Sequence, residues 1–561
     1  MLPLCLWAIT NWWHAGQDVA RFYIDMPVWD YFNAIEHFDR YKAADLSVFW
    51  EQHNEHRIPV SESVIAADLL WFHGRLLLPT VVSFALYSGI YLVMVWALLK
   101  DREMATVPRY AAIFLAAILM AWTGCAYPLS SPFLLQWTAN QFSAILAMVF
   151  LAMLSLSGRS LWILPLALCG VVCTYSSANG LLLWPLLVGV AAWTRVSWRN
   201  IVVIAVIGTL SAGCYFIGYK HMGTLNWEAV LRHPIYATEF VAAFVSMPFA
   251  FLKAEPGFGV HIGLISMAVL LAAFLRAWRV RLARTETGIV LFGYAAFLFI
   301  SGVMVAAGRM NPEDATFTTA KAERYLTLPL SYWGMVAMVV IWVMSRMRMA
   351  GTLLASGMAV ILGLYLFRLS HKSGFAVFSN IVAAGYANQQ WAALALETGI
   401  DDPATDLILY PDLPLLHRAL PVMRRERLSL FADPEVWWIG RDVKTVFPGG
   451  LQRQTAQGEM VASQRLASAI AVAGWTSVSS SVFHHLELVL VDGNGRIVGL
   501  GERLPAGLPK YFAGLKIRPD EQWSGFINLA YGSRKVSAYV VTRDRKALIP
   551  IAGEMDVEAA K

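Results

Sequence analysis

Charge is scarce in this sequence. Only 15% of its 561 residues are Asp, Glu, Lys or Arg, against 58% that are hydrophobic. Soluble domains carry roughly a quarter charged residues, so the shortage excludes a soluble globular protein and leaves a membrane one. Cysteine is scarce as well, and all five (Cys5, Cys125, Cys169, Cys173 and Cys214) fall inside apolar runs. That excludes a disulfide framework in the loops or the C-terminal region. Cys169 and Cys173 are four apart, but no third metal ligand accompanies them, and core packing is the better reading. Concentrated basic patches are also missing. The net charge of +6 is spread over short connections, as membrane topology requires, so nucleic acid is not a partner. The apolar runs hold almost no charge at their centres and show no repeated halves, both of which mark transporters. No basic segment precedes the apolar Met1–Trp13, so a signal peptide is not expected there. That stretch is too short to span, and reads as a tilted first helix held by its neighbours or as one that starts upstream.

What the sequence has is apolar length. Runs near the ~20 residues needed to cross a bilayer recur at 77–99, 111–127, 144–156, 161–175, 181–193, 201–219, 260–275, 289–307, 326–343 and 351–367. With the first helix these predict about eleven spans. Lys100, Arg102, Arg109, Arg159, Arg195, Arg199, Arg276, Arg279, Arg281, Arg284, Arg346 and Arg348 fall in one set of connections, which the positive-inside rule assigns to the cytoplasm. The alternate connections, "PLSSPFLLQWTAN" and "SSANG", carry no basic residue. The first long loop, "GRMNPEDATFTTAKAERY" and everything after Phe367 are therefore expected outside. Counting 240–252 as a full span would break that rule, so it reads as a re-entrant or surface-lying part of the loop 220–258.

Residues 14–76 form the first external loop. "MPVWDYFNAIEHFDRY", with Pro27 near its start and Val28, Tyr31, Phe32, Ile35 and Phe38 at 3–4 spacing, predicts an amphipathic helix. "SESVIAADLLWFHGR" predicts a second, beginning at Ser61 or Ser63. Residues 1–370 make the transmembrane domain and 371–464 a mixed periplasmic segment. Residues 465–561 are β-rich, with strands over 465–553 read as a small β-sandwich. Asp492-Gly493-Asn494-Gly495 between two apolar runs is a hairpin signal.

Ionisable residues gather in three external places. Asp25 and Asp30 lie in "YIDMPVWDYF"; Glu51, His53, Glu55, His56 and Arg57 in "FWEQHNEHRIP"; and Arg309, Glu313, Asp314, Lys321, Glu323, Arg324 and Tyr325 in "GRMNPEDATFTTAKAERYL". Solvated loop charges are the plain reading for any one of them. Taken together, carboxylates able to act as general bases and arginines shaped for phosphate suit a lipid-phosphate substrate and a hydroxyl acceptor. Gln136, Trp137, Asn140 and Gln141 in "QWTANQF" read as helix entry and interfacial anchoring, with sugar contact through Trp137 and Gln141 as the alternative. "YSSANG" reads as a tight external turn at Asn179-Gly180, with a direct ligand role as the lesser alternative.

This layout resembles the GT-C superfamily of integral-membrane glycosyltransferases. The shared features are a long first loop with two surface helices, an aspartate straight after the first span, many spans and a periplasmic C-terminal domain. The strings "VWDYF", "HNEHRIP", "YSSANGLLLWP" and "AERYLTLPLSYW" look like a bacterial subgroup of it. The resemblance covers about residues 1–370 and implies sugar transfer from a polyprenyl-phosphate donor to a lipid, glycan or protein, at the periplasmic face of the bacterial inner membrane. It maps the catalytic carboxylate onto Asp30 or Asp25, with Glu55 as a second. Members often carry adjacent acids where this chain has "DMPVWD", which leaves the choice of aspartate open. The donor-phosphate arginine maps onto Arg324, with Arg57, His56, Arg309 and Tyr325 grouped around it; His56 and Arg57 could instead brace the loop. Some members use a divalent metal, Mg2+ or Mn2+, and others none; nothing in this spacing demands one. Rival readings are an O-antigen polymerase or ligase, a transporter or flippase, and a non-catalytic glycan-assembly protein built around the β domain.

Overall fold

The computed structural model describes residues 2–222, 226–250, 256–346, 374–478, 487–503, 521–531 and 535–557, with isolated positions between them. The described chain folds as two compact units. The first comprises Met1–Ala20, Leu46–Val64 and Pro79–Ser379, and the second Arg21–Asp45, Ile65–Leu78 and Asn380–Lys561.

The first unit is a bundle of apolar helices, and the chain is a multi-pass membrane protein. Among the described residues, six helices are long and apolar enough to cross a bilayer: Leu77–Lys100, Pro132–Ser157, Trp198–Tyr215, Gly257–Arg279, Glu286–Arg309 and Thr327–Ser345. A seventh span results if Thr106–Met120 and Thr123–Ser130, bent by 52°, count as one. The expectation of about eleven spans is corrected accordingly. Two of the expected spans form the shorter helices Ser160–Thr174 and Ala178–Trp193, because an apolar run does not by itself separate a span from a short helix packed among others. The first helix runs on to Arg21, through Gln17 and Asp18. Pro234–Val245 is a helix of 12 residues, short of a crossing, with Phe240, Ala242 and Phe244 buried. The expected run at 351–367 lies outside the described residues.

The first loop divides between the units. In the second, the expected amphipathic helix starts only at Tyr31 and is split at His37 into Tyr31–Glu36 and Phe38–Lys42. The backbone at Trp29 is left-handed, φ 55°, which delays the start; Tyr31, Phe32, Ala34 and Ile35 form its buried face. The other predicted helix begins at Pro59, a residue favoured in a first turn, and ends at Trp71. The turn that follows is organised by the buried carboxylate of Asp68, which accepts from the N–H groups of Leu76 (2.8 Å) and Leu78 (3.2 Å).

The β-rich region is a barrel rather than a sandwich. Its strands are β1 (Ala456–Arg465), β2 (Ala469–Thr476), β3 (Glu487–Asp492), β4 (Ile497–Glu502), β5 (Gln522–Asn528), β6 (Lys535–Val541) and β7 (Leu548–Asp556). They close in the order β1-β2-β5-β4-β3-β6-β7, and β7 returns to pair in parallel with β1. Closure leaves no exposed sheet edge. Strand runs alone look the same in a sandwich and a barrel, because only the last pairing distinguishes them. The β3–β4 hairpin forms at Asp492–Gly495, where Asp492 Oδ1 accepts from the N–H groups of Asn494 (2.9 Å) and Arg496 (2.8 Å).

Two apolar cores serve the barrel. One draws Ala456, Ile470, Leu488, Val498, Trp523, Val536 and Ile551 from all seven strands. The other packs Ala471, Val489, Leu500 and Phe526 against Trp391 and Leu394 of the helix Gly374–Glu397. Burial on both faces explains why β2, "AIAVAGWT", is apolar throughout instead of alternating. Glu502, at the end of β4, is pushed up to about 8, first by burial and then by the charges of Asp25 and Glu487. A carboxyl raised in the folded state stabilises most below its unfolded value, and that stability is lost as pH rises through the folded one. Thermal melts of the full chain in detergent should therefore fall between pH 4.5 and 8. Glu502→Gln should flatten that fall and gain a few degrees over wild type at pH 8.5; parallel pH profiles for the two proteins would refute the assignment.

Candidate functional site

Within the first unit, five separate stretches of chain meet in one pocket. It is lined by Glu55 and His56 from the first loop, Trp137, Ser177–Asn179, Met304, Val305, Gly308 and Arg309 from the end of one helix, and Tyr325. Its empty space is roughly 470 Å3, open solvent at the mouth included. The loops that the charge rule assigned to a single side do converge here.

"HNEH" is a minimal hairpin. His53 pairs with His56 and Gln52 with Arg57, and the turn begins at Asn54 with φ 50°, a conformation asparagine tolerates better than most residues. The hairpin is tied down by Arg57, which is 3% exposed. Its guanidinium donates to the carbonyls of Tyr215 (2.6 Å), Ile217 and Trp50, and it lies 5.1 Å from the Trp50 ring centroid. The Tyr215 carbonyl ends the helix Trp198–Tyr215 and that of Ile217 lies two residues beyond it, so the cation satisfies a group that the helix leaves over and that its dipole makes negative. Tyr215 Oη donates to the Glu55 carbonyl at 2.7 Å and accepts from the Arg57 N–H at 3.2 Å.

Glu55 is thereby held in the pocket, buried, with its carboxylate 4.0 Å from the Arg309 guanidinium. His56 Nδ1 accepts from the Ala178 N–H at 3.2 Å, so a neutral ring carries its proton on Nε2. His56 and Tyr325 stand edge-on to Trp137, with centroids 6.2 and 5.3 Å apart. Arg324 is exposed and does not line the pocket; it lies 5.0 Å from the Tyr325 ring centroid. Gln141 is fully buried, donating to the Trp137 carbonyl and Thr327 Oγ1 (both 3.1 Å) and facing Tyr294. It is not among the residues lining the pocket.

Ser177, Ala178 and Asn179 belong to "YSSANG", which the sequence reading takes as a turn first and a direct ligand only second. The turn is there, but it is buried and faces the pocket. Gly180 admits the close approach this needs: a Cβ there would stand 2.0 Å from the Cys173 carbonyl oxygen. A serine pair and an asparagine between two apolar helices was the available signal.

Asp25 and Asp30 belong to the second unit. Asp25 pairs with Arg75 at 3.5 Å, and Arg75 also holds Asp433 at 2.6 Å. Asp30 immediately precedes the helix Tyr31–Glu36, and its carbonyl accepts from Asn33 Nδ2 at 3.0 Å. As for a metal, the pocket offers one carboxylate and one imidazole whose Nδ1 is already engaged, beside a guanidinium that repels a cation. Mg2+ or Mn2+ does not fit there. Among the described residues, a group spaced to hold a metal is Asp401, Asp406 and His417 in the second unit.

No family model matches this chain, and neither does any curated protein. Among solved structures it is similar to ArnT from Cupriavidus metallidurans, in crystal structures bound to undecaprenyl phosphate and in the apo state. Identities are 13% and 14% over 78% of this chain and 76% and 75% of that one, with TM-scores of 0.37 and 0.35. A likeness at those scores carries no argument about activity; the pocket's own residues must.

Arg57→Met keeps the aliphatic stem but orphans three carbonyls, an expected loss of roughly 2–4 kcal/mol. Arg57→Lys should recover little of it, since one ammonium cannot reproduce the fork. Melting curves of the purified variants, read against Arg324→Ala as an exposed control, check this; equal melting of Arg57→Met and wild type would contradict it.

Proposed function

We propose that this chain is a GT-C-type glycosyltransferase that moves a sugar from a polyprenyl phosphate to a hydroxyl acceptor. The observation that carries this reading is the meeting of Glu55, His56, Arg309, Trp137 and Tyr325 in one pocket at the end of an apolar bundle. A substrate with a long apolar tail can reach such a place from the bilayer, while its polar head meets an acid, a cation and aromatic faces.

In the reaction, the acceptor oxygen forms a bond to the anomeric carbon as the bond from that carbon to the phosphate oxygen breaks. The electron pair leaves with the polyprenyl phosphate. Glu55 takes the acceptor proton as general base. Arg309, with its charge 4.0 Å from Glu55, stabilises the phosphate as its negative charge grows. His56, with its proton on Nε2, donates to the phosphate or to the acceptor oxygen. Arg57 acts through position alone, since its guanidinium is committed to backbone carbonyls. The charge rule supports a periplasmic pocket in a bacterial inner membrane, because the arginine-rich connections are the alternate set.

The test is sugar transfer in membranes of a deletion strain complemented with each variant at equal expression. Glu55→Gln should lower transfer at least about 100-fold and Arg309→Ala by a comparable factor, while Arg324→Ala and Gln141→Leu keep most of it. If Asp25→Asn or Asp30→Asn abolishes transfer and Glu55→Gln does not, the base lies in the second unit and this assignment is wrong. If none of the four matters, the enzyme reading falls and a binding or assembly role takes its place.

A further inference from the structure

The floor of the pocket contains two polar atoms that the protein leaves unsatisfied. Asn179 is 5% exposed and Ser177 fully buried, and both line the pocket. Among the described residues, neither Asn179 Oδ1 nor Ser177 Oγ has a hydrogen-bond partner. A buried acceptor left this way costs about 1–3 kcal/mol, and buried polar groups are nearly always paired with protein, water or ligand.

The orientation of Asn179 is dictated from the bundle interior. The backbone carbonyl of Cys173 can only accept, so the Asn140 amide must turn its Nδ2 there, at 3.0 Å. That leaves Asn140 Oδ1 to accept from Asn179 Nδ2 at 3.1 Å. The same Nδ2 donates to Ser301 Oγ at 2.8 Å, and Ser301 donates onward to the Phe297 carbonyl at 2.9 Å. Both amide protons of Asn179 are thus spent, and its carbonyl oxygen is the part left over. Flipping the amide would set oxygen against oxygen at Asn140.

An acceptor fixed in this way repels phosphate oxygens and calls for a donor. The pocket is therefore divided chemically, with Arg309 supplying the cation that an anion needs and Asn179 with Ser177 supplying sites for O–H groups. The same pocket is lined by the rings of Trp137, Tyr325 and His56, the kind of faces on which the C–H side of a pyranose packs. Building on the glycosyltransferase reading above, we propose that Ser177 and Asn179 form the glycosyl subsite, where Asn179 Oδ1 accepts from a hydroxyl of the transferred sugar and Ser177 Oγ holds a second. These two residues would then select which sugar is carried, while Arg309 reads only the phosphate that all donors share.

The test separates the sugar from the lipid phosphate. Full-length protein in nanodiscs is titrated with undecaprenyl phosphate, and with the same lipid phosphate bearing glucose, galactose or mannose. Wild type should bind at least one glycosylated lipid about tenfold or more tighter than the bare one. Asn179→Leu should erase that preference and leave the affinity for undecaprenyl phosphate within about twofold. Asn179 also supports Asn140 and Ser301, so that variant can fail to fold. Ser177→Ala removes only the unpartnered hydroxyl, and should cut the preference at least about threefold with an unchanged melting temperature. Loss of both lipids to the same degree, no change in either variant, or no sugar preference in wild type would each overturn the subsite, with water as its occupant, and leave the transferase reading standing. Failure of wild type to bind any of the four lipids would overturn that reading, and the subsite with it.

Discussion

The polar end of the first unit depends on one buried guanidinium. A bilayer-spanning helix can satisfy its backbone internally except at its ends, and the Trp198–Tyr215 helix is such a case. Arg57 fills that gap by binding the Tyr215 carbonyl and, just past the helix, that of Ile217. Because Arg57 sits in a two-residue strand opposite Gln52, the same bonds fix the hairpin that carries Glu55 and His56. Of the two roles its chemistry suggested, phosphate contact and bracing the loop, the bonds to backbone carbonyls support the second.

The second constraint runs through hydrogen-bond direction. A backbone carbonyl at Cys173 sets the amide of Asn140, which sets that of Asn179. Fully satisfied buried networks make one arrangement of the core cheaper than its alternatives. Here the chain of donors ends at the unpartnered Oδ1 of Asn179, a residue that lines the pocket. The charge pair of Glu55 and Arg309 lies in the same pocket, so an acid from a hairpin, a cation from a helix end and the amide of a turn line one space.

In the second unit, acids accumulate around few cations. Arg75 bridges Asp25 and Asp433, and Arg545 holds Glu435 and Glu487. Glu397 and Glu502 are both raised, chiefly by burial, then Glu397 by the charges of Glu502 and Asp25 and Glu502 by those of Asp25 and Glu487.

The membrane class, the hairpin at Asp492–Gly495 and the ionisable clusters were legible in the sequence, because local hydropathy, turn chemistry and charge placement follow from neighbouring residues alone. Glu55, His56, Trp137, Arg309 and Tyr325 were all named from residue type. What residue type could not convey was partnership: Arg57 turned inward to carbonyls, Gln141 turned into the helix core, and Arg324 left on the surface behind Tyr325. Among the described residues fewer helices are long enough to cross a bilayer than there are apolar runs, since an apolar run has the same composition whether it crosses the bilayer or stops at a buried turn. Barrel closure rests on the pairing of β7 with β1, and the pocket floor on an amide orientation inherited from Cys173. The sequence by itself determined that this is a membrane protein with chemistry gathered in its loops. Only the tertiary structure decided which of those side chains face a common space, because donors and acceptors distant in the chain choose their partners after the helices have packed.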